Sequence, residues 1–127
     1  MLTEPVVENT VRKGSYIRVL RIPEVRRIRV GRLGVFEFPS GFYLYFGSAL
    51  NGLCARIARH RRREKKLHWH IDFLTQVAEP KIVWVVEDSR RLECEWSRKA
   101  AGLPQVDVPV GRFGSSDCRC ATHLVRV

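Results

Sequence analysis

No apolar run in this chain exceeds five residues, and the two of that length, Phe42–Phe46 and Ile82–Val86, are rich in aromatic and β-branched side chains. Short runs of this kind, bounded by turn formers, read as strands. A membrane-spanning helix needs about 18 consecutive apolar residues, far more than either run offers. The opening Met1-Leu2-Thr3-Glu4-Pro5 lacks the apolar core of a secretory signal. The expectation is a soluble cytoplasmic protein with no membrane partner. With 127 residues, 45% of them hydrophobic, the chain has material for one core.

Other segments fill in around the two runs. Gly14–Leu20 alternates and is rich in β-formers, so it predicts a strand. Arg27–Val30 and Gly34–Phe38 predict a hairpin, placed within an insertion of about residues 21–40, and Pro39-Ser40-Gly41 marks a turn. Phe42–Phe46 then predicts an aromatic strand ending at Gly47. Leu53, Ile57 and His60 share one helical face while Arg56, Arg59 and Arg63 share another. A second helix is predicted from Trp69 to Val77. Lys81–Val86 predicts a central strand because of its unbroken apolar run. Asp88-Ser89 predicts a cap for a helix reaching about Ala101, with Leu92 and Trp96 on its buried side and Gly102-Leu103-Pro104 stopping it. A Gly/Ser/Cys-rich segment, 111–127, closes on a short strand from His123 to Val127. The order predicts a mixed α/β fold in a single domain over 1–127.

The net charge of +10 is concentrated. Residues 12–34 hold eight basic side chains against Glu24, and residues 56–66 hold seven against Glu64, whereas the rest of the chain is net negative. Two dense basic segments are the footprint of a protein that neutralises a phosphate backbone. The alternative is a solvated basic helix beside a Lys/Arg-protected strand edge. Neither segment has the wide apolar face needed to lie in a membrane surface.

Four cysteines and one histidine-rich run are the remaining candidates for chemistry. Cys118-Arg119-Cys120 followed by His123 groups three zinc-type ligands, although C-x-C-x-x-H is not a standard knuckle spacing. Cys54 and Cys94 fall on predicted helix faces as small buried residues, and a bridge from Cys94 to Cys118 or Cys120 stays open. In His68-Trp69-His70-Ile71-Asp72, the i, i+4 spacing of His68 and Asp72 suits a hydrogen bond that fixes a helix start.

Gly14-Ser15-Tyr16 and Tyr45-Phe46-Gly47-Ser48-Ala49, followed by Leu53, Arg56, Ile57 and His60 and later by Glu93-Cys94-Glu95-Trp96, resemble the GIY-YIG nuclease superfamily. Gly31-Arg32-Leu33-Gly34, the His68–Asp72 run and Phe113–Cys120 with His123-Leu124 resemble its Uri-type endonuclease-like branch. Ser15 stands where that family has Ile, and the hairpin insertion separates Tyr16 from Tyr45. The Asn that supports the site near the end of the family's domain has no clear counterpart here, and Ser115, Ser116 or Asp117 would take its place.

The resemblance implies a small mixed or antiparallel central sheet flanked by helices, with an extra β-hairpin between the two motif strands. It implies a metal-dependent endonuclease that hydrolyses phosphodiester bonds in DNA, structured or damaged DNA included, using Mg²⁺ or Mn²⁺. Glu95, chosen because Trp96 matches the family's aromatic position, would hold the metal. Arg56 would pair with the scissile phosphate. Tyr16, Tyr45 or His60 would position or deprotonate the attacking water. Arg59, Arg62, Arg63, Lys65, Lys66 and His68 would line the nucleic-acid path, with DNA favoured over RNA. The fusion of family members to endonuclease III implies a base-excision repair glycosylase as a partner. The alternative is a non-catalytic nucleic-acid-binding module accompanying DNA repair.

Overall fold

The computed structural model describes residues 13–49, 69–88, 90–115 and 118–127. The predicted helix bearing Arg56 and His60 lies outside the described residues. Strand β1 (Gly14–Ile22) leads into a separate hairpin, β2 (Arg26–Val30) and β3 (Gly34–Phe38), joined by a single 3₁₀ turn. Strand β4 (Gly41–Ala49) follows. Beyond it come helix α1 (His70–Thr75), strand β5 (Glu79–Glu87), helix α2 (Glu93–Ala101) and strand β6 (Leu124–Arg126). The main sheet has the order β5-β1-β4-β6 with every neighbouring pair antiparallel. This is the small α/β domain with an inserted hairpin that the sequence implied.

Strand β1 lies between two partners because its alternation supplies one wholly buried row: Tyr16, Arg18, Leu20 and Ile22. It pairs with β4 over its full length, Gly14 opposite Ala49 through Ile22 opposite Gly41. Leu20 and Ile22 meet Tyr43, Val83 and Leu124 of the sheet, Val30 and Phe38 of the hairpin, and Ile71 and Leu74 of α1 in one core. Val110 and Phe113 of the C-terminal segment complete it. Helix α1 begins where Asp72 turns its carboxylate back to accept the Trp69 N–H at 2.7 Å. The helix start is thus fixed by the Asp72 carboxylate on the backbone.

Strand β5 corrects one expectation. Its apolar run predicts a central strand, yet it forms an edge of the described sheet. Pro80 lies inside it, and the register with β1 shifts between Val19–Ile82 and Leu20–Pro80. A proline has no N–H to give a second neighbour, which confines it to edges and bulges. The outward residues follow suit, with Val86 exposed. At the opposite edge, Asp107 and Arg126 exchange backbone hydrogen bonds of 2.8 and 2.9 Å and join their side chains at 2.8 Å. No helix among the described residues is long and apolar enough to cross a membrane.

Candidate functional site

The register of β1 on β4 sets Tyr16 directly opposite Gly47. The Tyr16 ring lies over the glycine: a methyl carbon on Gly47 would stand 2.5 Å from the phenol oxygen and 2.9 Å from Cε2. Tyr45, two residues earlier on the same strand face, brings its ring centroid to 6.4 Å from that of Tyr16. A cavity of about 100 Å³ opens beside this pair, room for a few waters at about 30 Å³ each. Its walls are Tyr16, Tyr45–Ser48, Trp69, Arg91, Glu93, Gly114 and His123. Gly114 closes one side at a φ of +72°, which favours glycine, and a Cβ there would press on Tyr45 and His123 at 3.1 Å each.

Glu93 is the acid of this cavity. It opens α2, it is 2% exposed, and its carboxylate accepts the Ser48 hydroxyl. Arg91 holds the other oxygen at 2.9 Å, with its own side chain 55% exposed and therefore reachable from solvent. Behind Ser48 stands a directed chain of hydrogen bonds. The Leu92 N–H donates to Ser15 Oγ at 3.0 Å, Ser15 and Ser48 hydroxyls lie 2.8 Å apart, and Ser48 donates to Glu93. Leu92, the residue flanking the helix start, has no side chain able to cap it. Ser15 satisfies that N–H from another strand. The hydroxyl at position 15, where the resembling family has Ile, thus ties β1 to the start of α2.

Of the residues singled out in the sequence, Tyr16 and Tyr45 meet in the cavity. Glu95 does not join them. It points into solvent and pairs with Lys99 at 3.2 Å along its own helix. Residues two apart on a helix point some 200° apart, and the face turned to the sheet carries Glu93 and Ser97, both buried. Arg56, Arg59, His60, Arg62, Arg63, Lys65, Lys66 and His68 lie outside the described residues. Within the first basic segment, Arg18 is buried and Arg21 pairs with Glu79 at 3.1 Å, while Arg26, Arg27, Arg29 and Arg32 on the hairpin are exposed. His70 serves the architecture, accepting the Gly114 N–H on Nδ1 at 2.8 Å. Burial lowers its pKa.

A second cluster adjoins the cavity. Cys94, Cys118, Cys120 and His123 bring one sulfur or ring nitrogen each to within 4.8 Å of all the others, a group able to hold a metal ion. Cys94 and Cys118 place their sulfurs 3.7 and 3.5 Å from His123 Nε2. None of the three cysteines is in a disulfide. Burial first, and then the neighbouring Cys120 and Cys118 thiols, push the Cys94 thiol up to about 12. The sequence pattern contained Cys118, Cys120 and His123; the fourth member arrives from α2, one residue after Glu93. Nothing in a C-x-C-x-x-H spacing points to it.

No curated protein and no solved structure matches this chain. A family of sequences matches residues 15–127, from the serine that caps α2 to the last residue of the C-terminal segment. The match takes in both tyrosines, Glu93 and all four members of the cysteine–histidine group, and the chain belongs to that family, the domain of unknown function DUF123.

Proposed function

We propose that the domain is a metal-dependent endonuclease that hydrolyses phosphodiester bonds in DNA at the cavity walled by Tyr16, Tyr45, Arg91 and Glu93. One observation carries the reading: two strand tyrosines, a buried carboxylate and a solvent-facing arginine converge from three separate stretches of a chain of net charge +10. The resemblance of the Tyr16 and Tyr45 motifs to GIY-YIG nucleases supports it, and so do the exposed arginines of the hairpin.

Glu93 fits a hydrated Mg²⁺ or Mn²⁺, which takes few protein ligands and keeps several waters. Oε1 of Glu93 faces both Nε and Nη2 of Arg91, at 3.0 and 2.9 Å, so Oε2 is the oxygen that retains a lone pair beyond its bond to Ser48. Such an ion would supply positive charge to the phosphoryl oxygens. The planar fork of Arg91 suits two oxygens of the same phosphate. The tyrosine phenols line the cavity where an attacking water would be oriented. Ser48 and Ser15 hold the carboxylate in place.

The test is cleavage of an end-labelled panel of duplex, single-stranded, flap, branched and abasic DNA, and of RNA, in Mg²⁺ or Mn²⁺. Wild type should cleave at least one DNA member, Glu93→Gln should lose that activity, and Glu95→Gln should keep it. Cleavage surviving Glu93→Gln refutes the site. One observation favours a second reading, a non-catalytic nucleic-acid-binding module: both oxygens of Glu93 already have protein partners, as in a purely structural ion pair. Salt-dependent binding without cleavage across the panel would establish it.

A further inference from the structure

We propose that Cys94, Cys118, Cys120 and His123 form a closed tetrahedral zinc site whose metal ties the start of α2 to the C-terminal segment. The geometry can be checked against bond lengths. With Zn–S about 2.3 Å and Zn–N about 2.0–2.1 Å, a regular tetrahedron sets sulfur and nitrogen about 3.6 Å apart and sulfurs about 3.8 Å apart. The two sulfur–nitrogen separations here are 3.7 and 3.5 Å, and no pair of donor atoms exceeds 4.8 Å. Three thiolates and one imidazole make a soft set that selects zinc over Mg²⁺ or Ca²⁺, which demand oxygen. Four protein ligands leave no position for water or substrate, so the site is structural rather than catalytic.

The surroundings are built to hold such an ion. Cys118, Cys120 and His123 lie on a segment whose only described strand is the three-residue β6 that follows them. That loop is shaped by Arg112, whose guanidinium donates to the carbonyls of Ser115, Cys118 and Cys120 at 2.6–2.7 Å. Arg112 adopts a φ of +63°, a conformation side chains rarely take. The carbonyls of Cys118 and Cys120 are therefore held by contacts other than those of the thiols themselves. Cys94 and Cys118 are half-buried while Cys120 and His123 are buried, so the cluster lies at the seam between helix and loop rather than on open surface. The tie reaches the cavity from two sides: Cys94 follows Glu93 on α2, and His123 is itself a wall residue.

The experiment is metal analysis of the purified full chain, kept reduced, with competitive zinc titration of wild type, Cys94→Ser, His123→Asn and, as a control on the exposed face of α2, Glu95→Gln. Wild type and Glu95→Gln should hold one zinc per chain. Cys94→Ser and His123→Asn should weaken zinc by more than the roughly 10- to 100-fold typical of losing a supporting hydrogen bond. Should those variants fail to fold, cobalt(II) substitution of wild type decides. The intense visible bands of a tetrahedral thiolate–cobalt centre are expected, and their displacement by one equivalent of zinc. A protein that takes up no zinc under these conditions, that binds it equally well without Cys94, or that yields octahedral cobalt spectra overturns the assignment. The outcome is independent of whether the domain cleaves DNA.

Discussion

Replacing Gly47 by alanine should destabilise the domain, although at an unobstructed strand position the same change would stabilise by about 0.5–1 kcal/mol. The reason is the ring across the strand. The new methyl would lie 2.5 Å from the Tyr16 phenol oxygen, well inside van der Waals contact, and Tyr16 is only 1% exposed. The phenol cannot swing into solvent without opening the core beside Tyr45. Overpacking of this kind costs about 1–3 kcal/mol, which at this chain length is about 4 °C in Tm for each kcal/mol. Urea denaturation of wild type, Gly47→Ala, Tyr16→Ala and the double variant measures it. In the Tyr16→Ala background the clash has no partner, so Gly47→Ala should become neutral or mildly stabilising, with a coupling of about 1–3 kcal/mol. An equal cost in both backgrounds would refute the packing argument, and so would a neutral Gly47→Ala in the otherwise intact protein.

Glu93→Ala should destabilise by about 1–3 kcal/mol, because it removes the acceptor of the half-buried Ser48 hydroxyl and releases Arg91, whereas Glu95→Ala should stay within about 0.5 kcal/mol, since it breaks only an exposed helix pair. Paired thermal melts distinguish the two. Burial lowers the pKa of His70, and a protonated Nδ1 could no longer accept the Gly114 N–H. The unfolded chain therefore binds the extra proton first, so stability present above the ordinary histidine pKa of about 6.5 should fall as pH drops below it; a His70→Asn variant should show a flatter profile between pH 7 and 5. Tyr43 is fully buried and its phenol donates to the Pro39 carbonyl. Burial pushes its pKa up to about 12, so stability should be lost as pH rises from about 10 through 12, and Tyr43→Phe should remove that alkaline component.

How much of this was legible in the sequence depends on how far the controlling contact lies along the chain. Strands β1 and β4 and the inserted hairpin follow from alternation and turn residues, which act locally. Pro80, also local, carries the signal that β5 is an edge, but the apolar run beside it points the other way and the proline decides. The rotation of α2 about its axis is different. It settles which of Glu93 and Glu95 faces the sheet and whether Cys94 reaches Cys118. The Asp88-Ser89 pair suggests a helix beginning there, yet Asp88 spends its carboxylate on Arg90. The helix instead starts at Glu93, after Leu92, whose N–H is taken by Ser15, 77 residues away. No periodicity within α2 encodes a partner on β1. For this one reason the sequence points to Glu95 rather than Glu93, and pairs Cys94 with Cys118 or Cys120 only as an open bridge rather than as a fourth ligand.

The strand order also sets a timetable for synthesis. Of the described strands β1 is made first, but its neighbour β4 follows only after the hairpin, and its other neighbour β5 only after α1. Strand β6 emerges after the other described strands, and its N-terminal neighbour His123 is the last cavity residue to be made. A nascent chain halted before Cys118 would hold the tyrosine pair and Glu93 without His123 and without three members of the cysteine–histidine cluster. Such a ribosome-bound chain would carry the exposed arginines of the hairpin well before the cavity exists.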